Sequence, residues 1–336
     1  MPGPDGRGPV AWFGLAVVAL AVAGATGCGS SSSSGNAGAD ETTAPATTTI
    51  QPAGDASTDK LAQVLARGTL VLFTDPKYPP QSAQVAGAKR PANTKCAANQ
   101  LTAGEMTGYD ADTGKAVARK MGVEPCFVTP SWTEVTGGNW GDRWDLAYGS
   151  GAIALDRMDV LYMTQPYYTT PANFFVPKNS TAKTPADLSG KKIGACAGCT
   201  MEEYLRGTLD LPGPKFKLAV ANPKIVTFDT EIPGLAATAE GKLAAFLCSE
   251  PVGSGAIKDG AALKMLPTPA YFSYKTGYVD KKSGLSVGPF VARVDQIIAG
   301  LHADGTLRRL SIKYFGKDYA TKAGRFDLST IGQTVK

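Results

Sequence analysis

The sequence predicts an α/β protein built as one bilobed unit or as two small domains. Three observations carry this. The stretch able to fold, about Thr58–Lys336, is long for a single domain. Fully apolar runs such as Thr69–Phe73 (TLVLF) read as strands inside a parallel sheet, and they alternate with stretches of helical periodicity. Asp145–Tyr168 (DLAYGSGAIALDRMDVLYMTQPYY) reads as a short strand ending in Gly149-Ser150-Gly151, a turn holding Asp156 and Arg157, and a second strand from Asp159 to Met163. Small residues at a strand end let a ligand approach the backbone. An arginine a few residues on can aim its donor fork at a carboxylate. The plain alternative for Arg157 is an ion pair with Asp156 or Asp159.

The chain opens on an export signal. Arg7 supplies a positive start, and Val10–Ala23 is uncharged but short for a membrane span of roughly 20 residues. Ala25-Thr26-Gly27-Cys28 resembles the lipobox of bacterial lipoproteins, so a signal over 1–27 and lipid on Cys28 are expected. An ordinary secretory signal with a chance cysteine is the alternative. Residues 28–58, rich in Ser, Gly, Ala and Thr, have too few large apolar side chains to offset ordering entropy and read as a disordered tether.

Of the whole sequence, 43% is hydrophobic and the net charge is +5. The cations are scattered, with no basic stripe between aromatics, so a nucleic-acid surface is not expected. Asp59–Arg67 has helical spacing closed by Gly68. After the Thr69–Phe73 strand come Asp75 and Tyr78, at the carboxyl end where open α/β sheets bind ligands. There a carboxylate meets a cation and an aromatic covers an apolar face; an Asx-turn is the alternative for Asp75 and loop packing for Tyr78. Gly108–Asp112 leads into a short helix over Thr113–Met121 closed by Gly122, and Ser131 with Glu134 reads as a capping box. Trp140, in the glycine-flanked loop 137–141, is placed to cover a ligand or to pack on the lobe surface.

Pro166–Pro171 is read as a crossing between lobes, with a new strand at Asn173–Val176. Thr184-Pro185 opens a short helix. Lys192–Cys196 is a strand, and Gly198-Cys199-Thr200 turns into a helix with Thr200 and Glu203 spaced as a capping box. A glycine turn at a helix start is an anion site, although a capped helix without a ligand is the alternative. Ile225–Phe228 and Leu243–Leu247 are buried strands, with a small helix over Gly234–Glu240 between them. Pro289–Leu301 and Leu307–Phe315 are scaffold helices.

These blocks resemble, in order, the bacterial extracellular solute-binding proteins of family 3, the amino-acid-type receptors of ABC importers. The residues concerned are Gly68–Pro80 (GTLVLFTDPKYPP), Gly108–Gly122 (GYDADTGKAVARKMG), Asp145–Tyr168, Asp187–Thr200 (DLSGKKIGACAGCT), Gly241–Glu250 (GKLAAFLCSE) and Leu301–Tyr319 (LHADGTLRRLSIKYFGKDY). The resemblance implies a type II periplasmic-binding-protein fold. Lobe one would span 59–170 and 278–336, lobe two 171–277, and the cleft between them would close on a small polar ligand. It implies that Arg157 clamps a ligand carboxylate, helped by Ser150 and by the Cys199-Thr200 turn. Residues Ala152 and Ala154 stand where the family commonly has hydroxyls. Ser249 stands where the family has an ammonium-binding Asp, so Asp75 or Glu250 would take the ammonium, and Glu250 has a solvated surface position as its alternative.

The implied partners are a small-molecule ligand, a membrane permease and the membrane itself through lipid on Cys28, at the outer face of the cell membrane. Two other readings share the cleft. One is a dehydratase-like enzyme with Glu250 as general acid; the other is a ligand-sensing partner of a signalling protein. There are six cysteines and one histidine. Cys28 goes to lipid and Cys96–Cys126 is expected to bridge. Cys196, Cys199 and Cys248 leave their pairing open. C-x-x-C at 196–199 lacks a second ligand pair, and His302 lies far along the chain, so neither a metal, nor another cofactor, nor a Ser-His-Asp triad is expected.

Overall fold

A computed structural model describes residues 54–213 and 215–335 of the protein. The expected export signal, the lipidation cysteine Cys28 and most of the expected tether lie outside these residues. No helix among the described residues is long and apolar enough to cross a membrane.

An 11-stranded sheet runs through the molecule. At its middle two ten-residue strands, Tyr168–Pro177 and Tyr271–Asp280, lie antiparallel. On one side the sheet continues through Leu146–Ala152, Thr69–Phe73 and Glu124–Val128, the last two parallel in register from Thr69 opposite Glu124. On the other side it continues through Ala245–Ser249, Lys192–Cys196 and Lys224–Phe228. Helices bury separate cores against the two halves. Leu70, Leu72, Tyr109, Phe290 and Ile298 belong to the first core, and Phe174, Ile193, Tyr204 and Leu247 to the second. The outcome is two α/β lobes joined, among the described residues, through the central strand pair of the sheet.

Local sequence explains the ends of the elements. Asp59 caps the Lys60–Arg67 helix by accepting from the Ala62 N–H at 2.8 Å. Gly68 stops that helix in a left-handed conformation (φ 72°), open to glycine at little steric cost. The Ser131–Glu134 capping box is present and starts the Trp132–Gly137 helix. The buried Asp145 fixes the start of the Leu146–Ala152 strand by pairing with Lys60 at 2.8 Å and accepting from the Val71 N–H at 2.8 Å.

Several expected boundaries move. The expected short strand ending at Gly149 is one strand, Leu146–Ala152, carried straight through the glycines. The expected crossing and new strand over 166–176 form the single strand Tyr168–Pro177, because every residue from Tyr168 to Val176 is buried and the pairing passes without a break from Tyr271–Lys275, opposite Tyr168–Ala172, to the lobe-two strands, opposite Ala172–Pro177. Thr200 and Glu203 make no capping box. Cys199 is the N-cap of the Thr200–Arg206 helix, and Glu202 reaches back to the Gly198 N–H at 2.8 Å. Glu203 is drawn away by a charge on the other lobe.

Cys96 and Cys126 form a disulfide. Cys196 and Cys199 form the second, and Cys248 is a buried thiol.

Candidate functional site

Between the lobes lies a cavity of about 520 Å³, counted out to its open mouth. Lobe one contributes Asp75, Tyr78, Trp132, Ser150 and Arg157 to its wall. Lobe two contributes the Cys196–Cys199 disulfide, Thr200 and Glu231, and the crossing strand contributes Lys275. Six residues singled out from sequence therefore meet at one cleft: Asp75, Tyr78, Ser150, Arg157, Cys199 and Thr200.

The glycines beside Ser150 act differently from expectation. A Cβ on Gly149 would lie 2.4 Å from the Phe73 ring, and one on Gly151 would lie 2.5 Å from the Tyr278 ring. Both make room for aromatic rings, and Gly149 also lines the cleft. The room beside Gly151 lets the Tyr278 hydroxyl reach the Ala152 carbonyl and accept from Arg157 Nη1 at 3.0 Å.

Arg157 is 5% exposed and bridges the lobes. Its Nη2 donates to the Gly198 carbonyl at 3.1 Å and to Glu203 Oε1 at 2.5 Å, both on lobe two. The Trp132 ring lies 5.8 Å from the guanidinium carbon. Trp132 Nε1 also donates to the Gly198 carbonyl, at 3.2 Å. The guanidinium and the 198–199 turn thus touch directly, and a protein carboxylate already sits on the fork. The alternative partners Asp156 and Asp159 form no ion pair with Arg157 among the described residues; Glu203 does.

Further side-chain contacts join the lobes. The Tyr78 hydroxyl is 3.1 Å from Ser249 Oγ, and Lys317 pairs with Glu250. These contacts correct two expectations. The Ser249 hydroxyl is consumed by Tyr78 and by Gln81 Nε2 at 3.3 Å, and the residue does not line the cleft. Glu250 lines a separate groove with Lys317 and Pro79, because it starts the Glu250–Lys258 helix on the outer side of its strand. It is not among the residues that line the cleft.

Trp140 is also corrected. It is 2% exposed in the lobe-one core, stacks on Trp144 at 5.0 Å, and donates from Nε1 to the Val135 carbonyl at 3.0 Å. Asp280 accepts the Asn139 N–H at 3.0 Å as well as the backbone N–H of Trp140, which turns the glycine-flanked loop inward. The tryptophan at the cleft is Trp132. Its position follows from the Ser131–Glu134 capping box, a signal present in the sequence.

Four carboxyls at or behind the cleft are held above their ordinary range by burial. Asp75 is raised by desolvation and partly restored by the Lys77 N–H, which its Oδ1 accepts at 2.8 Å. That bond is the Asx-turn, so Asp75 serves the turn and faces the cleft together. Glu203 is raised by desolvation in spite of Arg157. Glu231, 2% exposed, is pushed up to about 8 by desolvation, with Lys275 opposing. Asp110 lies behind Ser150 and is pushed up to about 7 by desolvation, against hydrogen bonds from Ser150 Oγ at 2.7 Å and Tyr167 at 2.8 Å. The Ser150 hydroxyl is therefore committed to Asp110 and accepts from the Tyr168 hydroxyl, while the Ser150 N–H donates to the Tyr167 hydroxyl at 3.0 Å.

Asp110 has a consequence for stability. A carboxyl near 3.9 in the unfolded chain and near 7 when folded binds more protons folded across that window, so it makes stability fall as pH rises between the two values. Asp110→Asn is expected to flatten the slope of unfolding free energy between pH 5 and 7. An unchanged slope in urea titrations would mean that Asp110 is ionised in both states.

Lys275 and Glu231 went unnoticed in the sequence. Glu231 looks like any acid in a first helical turn. Lys275 carried a weak signal, since strand alternation puts it on one face with Tyr271 and Ser273, and all three are buried.

A two-lobed α/β body with a polar cleft at the lobe junction is the architecture of a solute receptor. A model of the bacterial extracellular solute-binding proteins, family 3, matches residues 96–317, and the chain belongs to that family. The L-cystine-binding protein TcyJ of Escherichia coli (strain K12) is 25% identical over 260 residues, covering 77% of this chain and 86% of that protein. The L-arginine-binding protein of Pseudomonas aeruginosa is 25% identical over 224 residues, covering 64% and 82%. Among solved structures, one crystallised with L-arginine superposes with a TM-score of 0.65 at 17% identity, covering 80% of this chain and 98% of that one. An ancestral amino acid-binding protein, described as a precursor of cyclohexadienyl dehydratase, gives 0.61 at 22% identity, covering 76% and 99%. These likenesses establish the two-lobed type II fold.

Proposed function

We propose that the protein is a non-catalytic receptor that closes its lobes on a small amino-acid-like solute and delivers it to an ABC permease, held at the outer face of the cell membrane by lipid on Cys28. The observation that carries the reading is the convergence of Asp75, Tyr78, Trp132 and Arg157 from one lobe with Thr200 and Cys199 from the other around a single cleft. Arg157 keeps its Nε–H free of partners among the described residues, which leaves a donor for a ligand carboxylate beside the Glu203 pair. In this reading the ligand carboxylate competes with Glu203, Asp75 meets the ammonium, and Tyr78 and Trp132 cover the apolar part. Amino-acid ligands in the names of the cystine- and arginine-binding relatives support the class. The lobe boundaries near residues 170 and 277 are proposed as the hinge, on the central strand pair.

Calorimetric titration with amino acids, cystine and arginine among them, tests the reading. Trp132→Ala is expected to weaken binding by about tenfold through loss of an aromatic cover. Trp140→Ala is expected to lower stability by about 3–5 kcal/mol without changing the affinity of the folded fraction. Binding by none of the solutes would end the receptor reading. For the anchor, the intact mass of protein taken from membranes is expected to carry lipid, lost in Cys28→Ala.

A further inference from the structure

Two side chains in the cleft have unmet demands, and they sit in its wall together. Lys275 is 3% exposed, and its ammonium makes no hydrogen bond or ion pair with any described residue. Glu231 is 2% exposed, and its Oε2 has no hydrogen-bond partner. Its Oε1 lies 3.9 Å from Cys196 Sγ, a sulfur already in a disulfide and so without a proton to donate, and the Ser249 N–H and the Tyr78 hydroxyl are the polar groups that act on the carboxyl from the protein side. Arg157, by contrast, is largely satisfied by Glu203, Gly198 and Tyr278. A buried ammonium without a partner is costly, and a site that keeps one is built for an anion.

We propose that Lys275, with Glu231 beside it, seats a second carboxylate of the ligand, so that the preferred solutes are amino acids carrying an acidic side chain. The assignment rests on the receptor reading, in which Arg157 takes the α-carboxylate. Burial pushes Lys275 down and Glu231 up, both to about 8, so near neutral pH the lysine is charged and the glutamic acid holds a proton it can donate. Together they offer an ammonium and an O–H to one carboxylate. A guanidinium or ammonium side chain placed there would meet a cation in a desolvated wall, which works against basic amino acids.

The test uses the mature full chain and calorimetry at neutral pH. L-aspartate, L-glutamate and L-2-aminoadipate are compared with asparagine, glutamine and arginine. At least one acidic amino acid is expected to bind ten- to a hundredfold more tightly than its amide and than arginine. Lys275→Met is expected to erase that preference, the acid losing at least about tenfold more affinity than its amide. Equal binding of acid and amide by the wild-type protein, or an equal loss for both in Lys275→Met, would overturn the inference and leave the receptor standing. Binding of no amino acid at all would overturn both. The wild-type comparison decides the point even if the variant fails to fold.

Discussion

Replacing Arg157 by methionine is expected to cost about 3 kcal/mol of unfolding free energy and to open the lobes. The reason lies in what the substitution leaves behind. Glu203 is mostly buried and raised by desolvation, and Arg157 is its only ion-pair partner among the described residues. Removing one member of a buried pair strands the other charge, typically at about 3–5 kcal/mol. The Gly198 carbonyl would lose Arg157, though it keeps the Trp132 N–H, and the Tyr278 hydroxyl would lose a donor. Because the pair spans the cleft, its loss also removes a closing contact, leaving Tyr78–Ser249 and Lys317–Glu250 among those that hold the lobes. Urea denaturation and small-angle scattering read the two effects: a lower midpoint, and a larger radius of gyration without ligand. The double variant Arg157→Met, Glu203→Met replaces the pair with apolar groups of similar length and is expected to recover most of the stability while ligand affinity stays low. A single variant as stable and as compact as wild type would show that the pair contributes nothing to closure.

Removing the Cys96–Cys126 disulfide by a double alanine substitution is expected to cost roughly 3–4 kcal/mol. The bond closes a loop with a sequence separation of 30 residues, and the chain-entropy estimate for such a loop falls in that range. Its partners explain why the loss would not be absorbed locally. Cys126 lies in the Glu124–Val128 strand, whose pairing with Thr69–Phe73 builds lobe one, whereas Cys96 lies in a polar segment with few apolar contacts of its own. Glu124 helps to hold that segment by accepting the Lys95 N–H at 2.8 Å, but an exposed bond of that kind is worth about 1 kcal/mol. A melting temperature lower by about 5–10 °C is expected for a loss of this size. A shift below 2 °C would mean that the segment is held by contacts other than the disulfide.

Much of this was legible in the chain. Apolar runs, caps and glycine stops marked helices and strands whose causes are local, as with Asp59, Gly68 and Ser131. The resemblance of the motif blocks to the receptor family implies that Asp75, Tyr78, Ser150, Arg157, Cys199 and Thr200 share one cleft, and all six line it. The misreadings share one physical origin. Trp140 beside glycines looked exposed, and only the Asp280 carboxylate on a strand some 140 residues later turns it into the core. Glu250 is adjacent to Ser249, but the start of a helix points it away from the cleft.

The sequence by itself determined the element types, because period, capping and steric freedom are properties of neighbouring residues, and its resemblance to the receptor family implied two lobes with Arg157 at their junction. Tertiary structure alone decided which charges meet: Glu203 on the Arg157 fork, and Lys275 beside Glu231 in the cleft wall. Those partners lie on elements far apart in the chain. Their protonation is governed by how much water the closed lobes exclude, and no stretch of sequence carries that quantity.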